Sequence, residues 1–286
     1  MADAVGVIGG SGLYLMDGFE DVREVTIDTP FGAPSDAITV GRLGGREVAF
    51  LPRHGRGHRY LPTEVPYRAN LYALKTLGVS RIFSVSAVGS MKEEIALGRP
   101  VLVDQFIDRT VARRSTFFGE GIVGHVSMAD PTCPSLRGLL ASVAPGAGVD
   151  LVNGGTYVCI EGPQFSSRAE SMLYRQYGVD VIGMTNATEA KLAREAEICY
   201  ATIAIPTDYD CWHESEEDVS VEAVIARLSL GIGRARTLIL AALAHLDQAG
   251  PCRCREALSG AVMTDPARIP AEARARLAPI LGRRLP

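Results

Sequence analysis

No basic surplus, no long apolar run and no low-complexity tract mark this chain, and each absence removes a class of function. The 286 residues carry 29 Lys+Arg against 33 Asp+Glu, a formal net charge of −4. Nucleic-acid binders present a basic patch, so no nucleic-acid partner is expected. The Arg-rich stretch from Arg253 to Arg284 is interrupted by Glu256, Asp265 and Glu272, and reads as a solvated helical face. No stretch approaches the roughly 20 apolar residues of a membrane span, so no membrane partner is expected. The start, Met1-Ala2-Asp3-Ala4, lacks the charged and apolar regions of a signal peptide; a cytoplasmic protein is the expectation. Internal repeats are missing too. Cysteine is sparse and irregularly spaced: Cys133, Cys159, Cys199, Cys211, Cys252 and Cys254. Cys252-Arg253-Cys254 has no second Cys/His pair at metal-ligand spacing, so zinc is not expected there. Cys159 and Cys199 sit in apolar runs and read as core.

What remains is a core-forming composition, 47% hydrophobic and 22% charged, in an alternating pattern of strands and helices. Strands are expected at Val5–Ile8, Glu24–Ile27, Ala37–Val40, Glu47–Leu51, Arg81–Ala87, Pro100–Phe106, Tyr157–Ile160, Val179–Gly183 and Ile198–Pro206. Helices are expected at Tyr67–Leu77, Ser167–Tyr177, Ala187–Glu197 and Ser220–Leu246. This alternation predicts an α/β fold: a single domain with a mixed, twisted β-sheet flanked by helices. The core spans about 5–245, and a helical extension covers about 250–286.

Thr207-Asp208-Tyr209-Asp210-Cys211-Trp212 follows the apolar strand ending at Pro206. In open α/β sheets, ligands bind outside the carboxyl ends of strands. On an extended backbone Asp208 and Asp210 point the same way. Two like charges aimed at one spot repel unless something there shares a proton or donates hydrogen bonds. A purine does both, through a ring nitrogen and an exocyclic amine. A polar loop with two solvated acids is the plainer alternative.

Gly9-Gly10-Ser11-Gly12 follows the first strand and offers backbone N–H groups and a hydroxyl to an anion. The Gly-Lys-Ser/Thr ending of a Walker loop is missing. So is the third glycine of a dinucleotide fingerprint, whose place Leu15 takes. Arg53-His54 follows another strand, with a rigid guanidinium fork suited to phosphate. Ser86-Ala87 and Met184-Thr185 end two more. Ser11, Arg53, Ser86 and Thr185 are thus four strand-end groups that one small-anion pocket would explain together.

At Val7-Ile8-Gly9-Gly10-Ser11-Gly12-Leu13, Asp28-Thr29-Pro30-Phe31-Gly32, Arg53-His54-Gly55-Arg56, Asp104 to Thr110, Ile160 to Ser171, Gly183-Met184-Thr185 and Thr207 to Trp212, the chain resembles the trimeric purine nucleoside phosphorylases. Within them it resembles most the group that cleaves methylthioadenosine. The resemblance covers roughly residues 5 to 245. It implies phosphate binding by Ser11, Arg53, His54, Ser86, Ala87 and Thr185, ribose contact by Met184, and a ring against the purine from Phe165. Asp208, Tyr209 and Asp210 fall at the base, with Asp208 as general acid and Asp210 on the exocyclic amine. It further implies a homotrimer in which His125 reaches the 5′ end of a nucleoside in the neighbouring subunit. Phosphate is a co-substrate; neither an organic cofactor nor a metal is expected.

Specificity rests on a few positions. The 6-oxopurine enzymes of this family carry Glu where this chain has Ser166 and Asn where it has Asp208. An ionised Asp accepts from a 6-amino group but finds no donor in a 6-keto group. Val221, with Val224 one turn on, replaces a polar residue that serves the 5′-hydroxyl, and an apolar wall favours a methylthio group. Gly183 departs from the Asn of many animal members. The implied reaction is phosphorolysis of S-methyl-5′-thioadenosine to adenine and 5-methylthioribose 1-phosphate. The alternatives are a 6-oxopurine or methylthioinosine phosphorylase, a hydrolase, and a non-catalytic nucleotide sensor.

Overall fold

The computed structural model describes residues 3–10, 13, 18–213 and 221–284, with backbone alone for 221–230 and 283. Eleven strands form one mixed sheet among them. Its long arm runs β2 (Glu20–Val25), β3 (Ile38–Leu43), β4 (Arg46–Pro52), β1 (Ala4–Gly9), β5 (Val79–Ser90), β10 (Val181–Gly183), β9 (Thr156–Cys159) and β7 (Gln105–Asp108). β11 (Cys199–Asp208) pairs the other edge of β5, and β6 (Val101–Val103) and β8 (Val152–Asn153) follow outward.

Helices cover both faces. α1 (Tyr67–Thr76), α4 (Asn186–Glu195) and α6 (Ala271–Leu281) lie on one; α2 (Pro134–Val143) and α5 (Val221–Ala244) lie on the other. Strand side chains alternate between faces. In β11, Cys199, Ala201, Ile203 and Ile205 therefore join the core under α2 and α5, while Tyr200 joins the core under α1 and α4. α1 begins after Pro66 and gives way to Gly78 at φ +81°, a left-handed position that suits glycine. α3 (Arg168–Gln176) starts with a reciprocal capping box between Ser167 and Glu170.

Several expected elements shift for physical reasons. The strand expected over 100–106 is two strands, because the chain leaves the β11 side at Asp104 and continues beside β9. Asp104 Oδ1 accepts from Gly155 N–H (3.0 Å) at that crossing. β5 does not end at Ala87; pairing with β10 and β11 carries it to Ser90. The strand expected over 24–27 lies earlier, as β2. The C-terminal segment is more than a solvated face: α6 buries Ala273, Leu277, Ile280 and Leu281 and packs on α1. No described helix is long and apolar enough to cross a membrane.

Gly183 closes a tight contact between β10 and β9. A Cβ there would stand 2.1 Å from the Tyr157 hydroxyl and 2.7 Å from the ring carbon bearing it. Tyr157 is fully buried and cannot retreat. Gly183→Ala should therefore destabilise the fold by about 1–3 kcal/mol, read as a lower denaturant midpoint at unchanged m-value.

Candidate active site

β5 organises the site through its two edges. β11 runs along one edge, from Arg81 to Gly89. On the other edge β1 pairs only as far as Ser84, and β10 pairs from Gly89 on. Residues 85–88 of β5 therefore lie in a gap between the C-terminal ends of β1 and β10. Register then brings the candidates to one level. β1 aligns Gly9 with Pro52 of β4, so Gly10 and Arg53 leave the sheet together. β10 is antiparallel to β5, with Val181 opposite Ser90, so Thr185 returns to the level of Ser86.

Ser86 is buried, and its hydroxyl has no hydrogen-bond partner among the described residues. The buried Thr188 hydroxyl, in the first turn of α4, is likewise unpartnered. Thr185 is the N-cap of α4 without a side-chain capping bond. A helix start presents unpaired N–H groups and favours anions. Ser86 and the α4 N-terminus thus stand at one level as donors, while the Thr185 hydroxyl donates to Asn186 Oδ1 (3.1 Å); Ala87 lies next to Ser86 on the open edge. Ser11 lies outside the described residues.

Arg53 is buried and already heavily engaged. Nε and Nη2 pair with the two carboxylate oxygens of Glu189, Nη1 donates to Val85 O (2.9 Å), and Nη2 donates to Ser84 Oγ (2.6 Å). Burial opposes its charge, but the Glu189 carboxylate outweighs burial and holds Arg53 firmly protonated. Of five guanidinium donors, one Nη1 hydrogen is left for a ligand. Glu189 also accepts from Ser84 Oγ and Tyr200 Oη, both at 2.8 Å. Asn186 Nδ2 joins the network through Tyr200 Oη and Thr202 Oγ1. Sequence reasoning missed Glu189 and Asn186, since a Glu in an Ala/Glu-rich helix resembles a surface residue.

The His54 ring departs from the role of anion donor. Its Nδ1 lies 2.9 Å from Tyr60 O, which requires the proton on Nδ1 and leaves Nε2 an acceptor. Burial, then the Arg53 charge, lowers its pKa to about 4. The neutral ring, stacked on His58, offers phosphate no further N–H.

The acid side is built on the end of β11. Asp208 pairs with Gly89, and a bulge falls at Thr207. The backbone is not extended through Asp210, which sits at φ +50°. The two acids are held together differently: Asp208 Oδ1 accepts from Asp210 N–H (2.9 Å), an Asx-type turn, and Asp208 Oδ2 accepts from Thr207 Oγ1 (2.8 Å). Asp210 is buried, and its Oδ2 has no hydrogen-bond partner. Burial raises the Asp210 pKa, and the Asp208 charge adds to it against the nearby Ser171 hydroxyl. Ser166 and Ser171 lie beside it with their own buried hydroxyls outside hydrogen-bond geometry.

The 161–168 loop closes on this end. Ser166 O accepts from Cys211 Sγ (3.3 Å), and Arg168 Nη1 donates to Cys211 O (2.8 Å). Phe165 is half-exposed and lines an open cleft of about 300 Å³ with Ser166, Glu170 and Tyr174. Met184 packs its sulfur on Gly162, and Arg113 Nη1 donates to its carbonyl. Arg113 is held by Glu161, which also accepts from Thr63 Oγ1 and from the Val111 and Ala112 N–H groups. Those donors overcome burial and lower the Glu161 pKa to about 2. Tyr209 stacks on His213 (4.8 Å) and Trp212 donates to Ser90 O (2.8 Å). Val221 and Val224 fall in α5, but their side chains lie outside the described residues. His125 is exposed, its N–H bonded to Ala261 O (2.9 Å).

The family model described as "Phosphorylase superfamily" matches residues 4–244. The chain belongs to the phosphorylase superfamily. Within this superfamily it is 58% identical to the S-methyl-5′-thioadenosine phosphorylase of Geobacter sulfurreducens, with 99% of each chain covered. It is 52% identical to that of Synechocystis, covering 99% of this chain and 88% of the relative. A methylthioadenosine phosphorylase from an antarctic soil metagenomic library superposes with a TM-score of 0.93 at 51% identity, covering 98% and 99% of the two chains. An adenosine/methylthioadenosine phosphorylase mutant from Schistosoma mansoni, solved with adenine, superposes with a TM-score of 0.86 at 36% identity, covering 91% and 99%.

Two groups with shifted pKa values, Glu195 and His54, act on stability with opposite signs. Burial raises Glu195 to about 7, against donors from Phe117 N–H and Thr116 Oγ1. Its folded pKa exceeds the ordinary 4.5, so its stabilising contribution is full below pH 4.5 and is lost as pH rises to about 7. His54, depressed from 6.5 to about 4, stabilises fully above pH 6.5 and loses that contribution as pH falls. Each slope is about 1.4 kcal/mol per pH unit, and over the shared window they oppose each other. Glu195→Gln removes one of them. Denaturant titrations between pH 4.5 and 6.5 should then show stability falling more steeply with acid than in the parent.

Proposed function

We propose that this phosphorylase cleaves the N-glycosidic bond of S-methyl-5′-thioadenosine with inorganic phosphate, giving adenine and 5-methylthioribose 1-phosphate. The observation that carries the reading is the acid pair at the end of β11, one member buried with an unpartnered oxygen, next to the donor-lined gap in β5. The names of the relatives, at 58% and 52% identity over 99% of this chain, support the same substrate.

Departure of the base builds positive charge on the sugar and negative charge on the purine. Phosphate in the gap faces the Ser86 hydroxyl, Thr185 and the start of α4, with Ser11, Ala87 and the spare Arg53 hydrogen assigned to the same anion. It stabilises the developing cation and then attacks the anomeric carbon, which is catalysis by position and field. Asp208 delivers a proton to purine N7, and Asp210 holds the exocyclic amine. Asp208 accepts two hydrogen bonds, while burial and the neighbouring Asp208 charge raise the Asp210 pKa. The acids therefore act as one coupled pair that carries the proton to the base. Phe165 covers the purine, Met184 the ribose, Tyr209 the edge of the base, and Ser166, Val221 and Val224 set the preference for 6-amino and methylthio groups. No other cofactor is assigned to the reaction. The free thiols suit a reducing, cytoplasmic setting.

Adenine release from methylthioadenosine should depend on phosphate and should far exceed base release from inosine or methylthioinosine. Preference for an inosine-type substrate would overturn the reading of the two aspartates; release without phosphate would make the enzyme a hydrolase. Asp208→Asn should lower kcat by about 10²–10⁴, and a variant that keeps most of its turnover would remove Asp208 from the acid role. A homotrimer is part of the same proposal, with exposed His125 completing a neighbour's site. His125→Ala should raise KM for methylthioadenosine while the thermal midpoint stays unchanged, and an unchanged KM would remove His125 from the site.

A further inference from the structure

Four cysteines from three parts of the chain meet under α2 at the start of β11. Cys133 caps the N-terminus of α2, Cys199 opens β11, and Cys252 and Cys254 come from the C-terminal segment. Their sulfur atoms all lie within 4.8 Å of one another, and three of the four residues are buried. Cys199 Sγ and Cys252 Sγ are 3.2 Å apart, and all four are free thiols. Spacing had argued against a metal at Cys252-Arg253-Cys254, because no second pair lies nearby in sequence. The fold supplies that pair as Cys133 and Cys199.

We propose that Cys133, Cys199, Cys252 and Cys254 form a closed, structural zinc site. Four sulfurs around zinc at about 2.3 Å stand about 3.8 Å apart, which this cluster reaches with small side-chain adjustments. All-thiolate donors select soft, four-coordinate ions over magnesium or calcium. With every ligand from the protein, no position is left for substrate, as in structural rather than catalytic zinc centres. Binding is exchange without redox: the ion takes four sulfurs and the thiol protons leave to solvent. The surroundings compensate the charge that four thiolates leave around one zinc. Arg194 Nη1 donates to Cys254 Sγ (3.5 Å), and Leu136 N–H donates to Cys133 Sγ (3.4 Å).

The site would fasten the C-terminal segment to the sheet. That segment in turn holds the loop bearing His125, through His125 N–H to Ala261 O and Met263 N–H to Val123 O, both 2.9 Å. Cys199 and Asp208 stand at opposite ends of β11, roughly 30 Å apart at about 3.3 Å per residue. The metal therefore acts on stability and not on the reacting groups.

The test is metal analysis of the full-length protein purified without chelator, together with intact mass under non-reducing conditions. About one zinc per chain is expected, displaced stoichiometrically by a mercurial thiol reagent. Cobalt(II) added to the metal-stripped protein should give thiolate-to-cobalt charge-transfer bands and the intense d–d bands of a tetrahedral sulfur site. Cys252→Ser, at the least buried ligand, should lose most of the zinc and lower Tm while keeping kcat at moderate temperature. A metal-free protein lighter by four hydrogens would show two disulfides and overturn the proposal. Four free thiols that take up neither zinc nor cobalt, or iron or copper in place of zinc, would overturn it as well. Phosphorolysis is scored separately, so failure of the zinc site leaves the proposed reaction standing and the reverse.

Discussion

The buried pair of Arg53 and Glu189 is the constraint on which the rest of the site depends. Each side chain is almost fully buried, 4% and 2% exposed. Taking both charges out of water costs several kcal/mol per ion, which their attraction offsets only with good geometry and further hydrogen bonds. Both conditions are met here: the guanidinium is shared among Glu189, Ser84 and Val85, and the carboxylate also accepts from Ser84 and Tyr200. The pair ties the end of β4 to β5, β11 and α4. Those elements carry Ser86, Asp208 and Thr185. Loss of either partner would strand a charge at a cost of about 3–5 kcal/mol and release the alignment of the strand ends.

With alignment fixed, the protein leaves selected polar groups unsatisfied. Ser86 and Thr188 hydroxyls are buried without partners beside the helix start, and Asp210, Ser166 and Ser171 repeat the pattern beside the acid pair. Each such group costs about 1–3 kcal/mol in a fold that has only a narrow stability margin. Among the described residues the buried side-chain oxygens without partners fall in these two clusters, one of hydroxyls at a helix start and one beside the carboxylates, which matches a ligand that is anionic at one end and basic at the other. A phosphate and a purine nucleoside, bound together, have that polarity.

Much of the architecture was legible because apolar period and glycine punctuation act locally. β1, β4, α1, α4 and β11 fall within a few residues of their expected bounds, and the acids emerge at the end of β11. Features requiring contacts between distant segments were not legible. Glu189 reads as an ordinary helical acid until Arg53 arrives from 136 residues away. Asp210 reads as extended, but the bulge at Thr207 and the Asx turn re-aim it. The His54 ring reads as free to face an anion until its Nδ1–H is committed to the Tyr60 carbonyl. Ser86 reads as the end of a strand, whereas β5 continues and the opening is lateral, made by the break between β1 and β10. The convergence of Cys133 and Cys199 with Cys252 and Cys254 leaves no trace in spacing at all.

β11 shows how one strand separates chemistry from stability. Its alternation sends Cys199, Ala201, Ile203 and Ile205 into an apolar layer and Tyr200 and Thr202 into the Glu189 network. Its length separates the thiol cluster at one end from the acid pair at the other. Every side chain between the two ends is buried, so the strand cannot slip by one residue without inverting both faces. Such a slip would put Tyr200 among the thiols and Cys199 against Glu189. The register that satisfies Glu189 is therefore also the register that gathers the cysteines and presents Asp208 at Gly89. Packing along the strand therefore works with the Arg53–Glu189 pair to fix where the acid pair stands relative to the gap in β5.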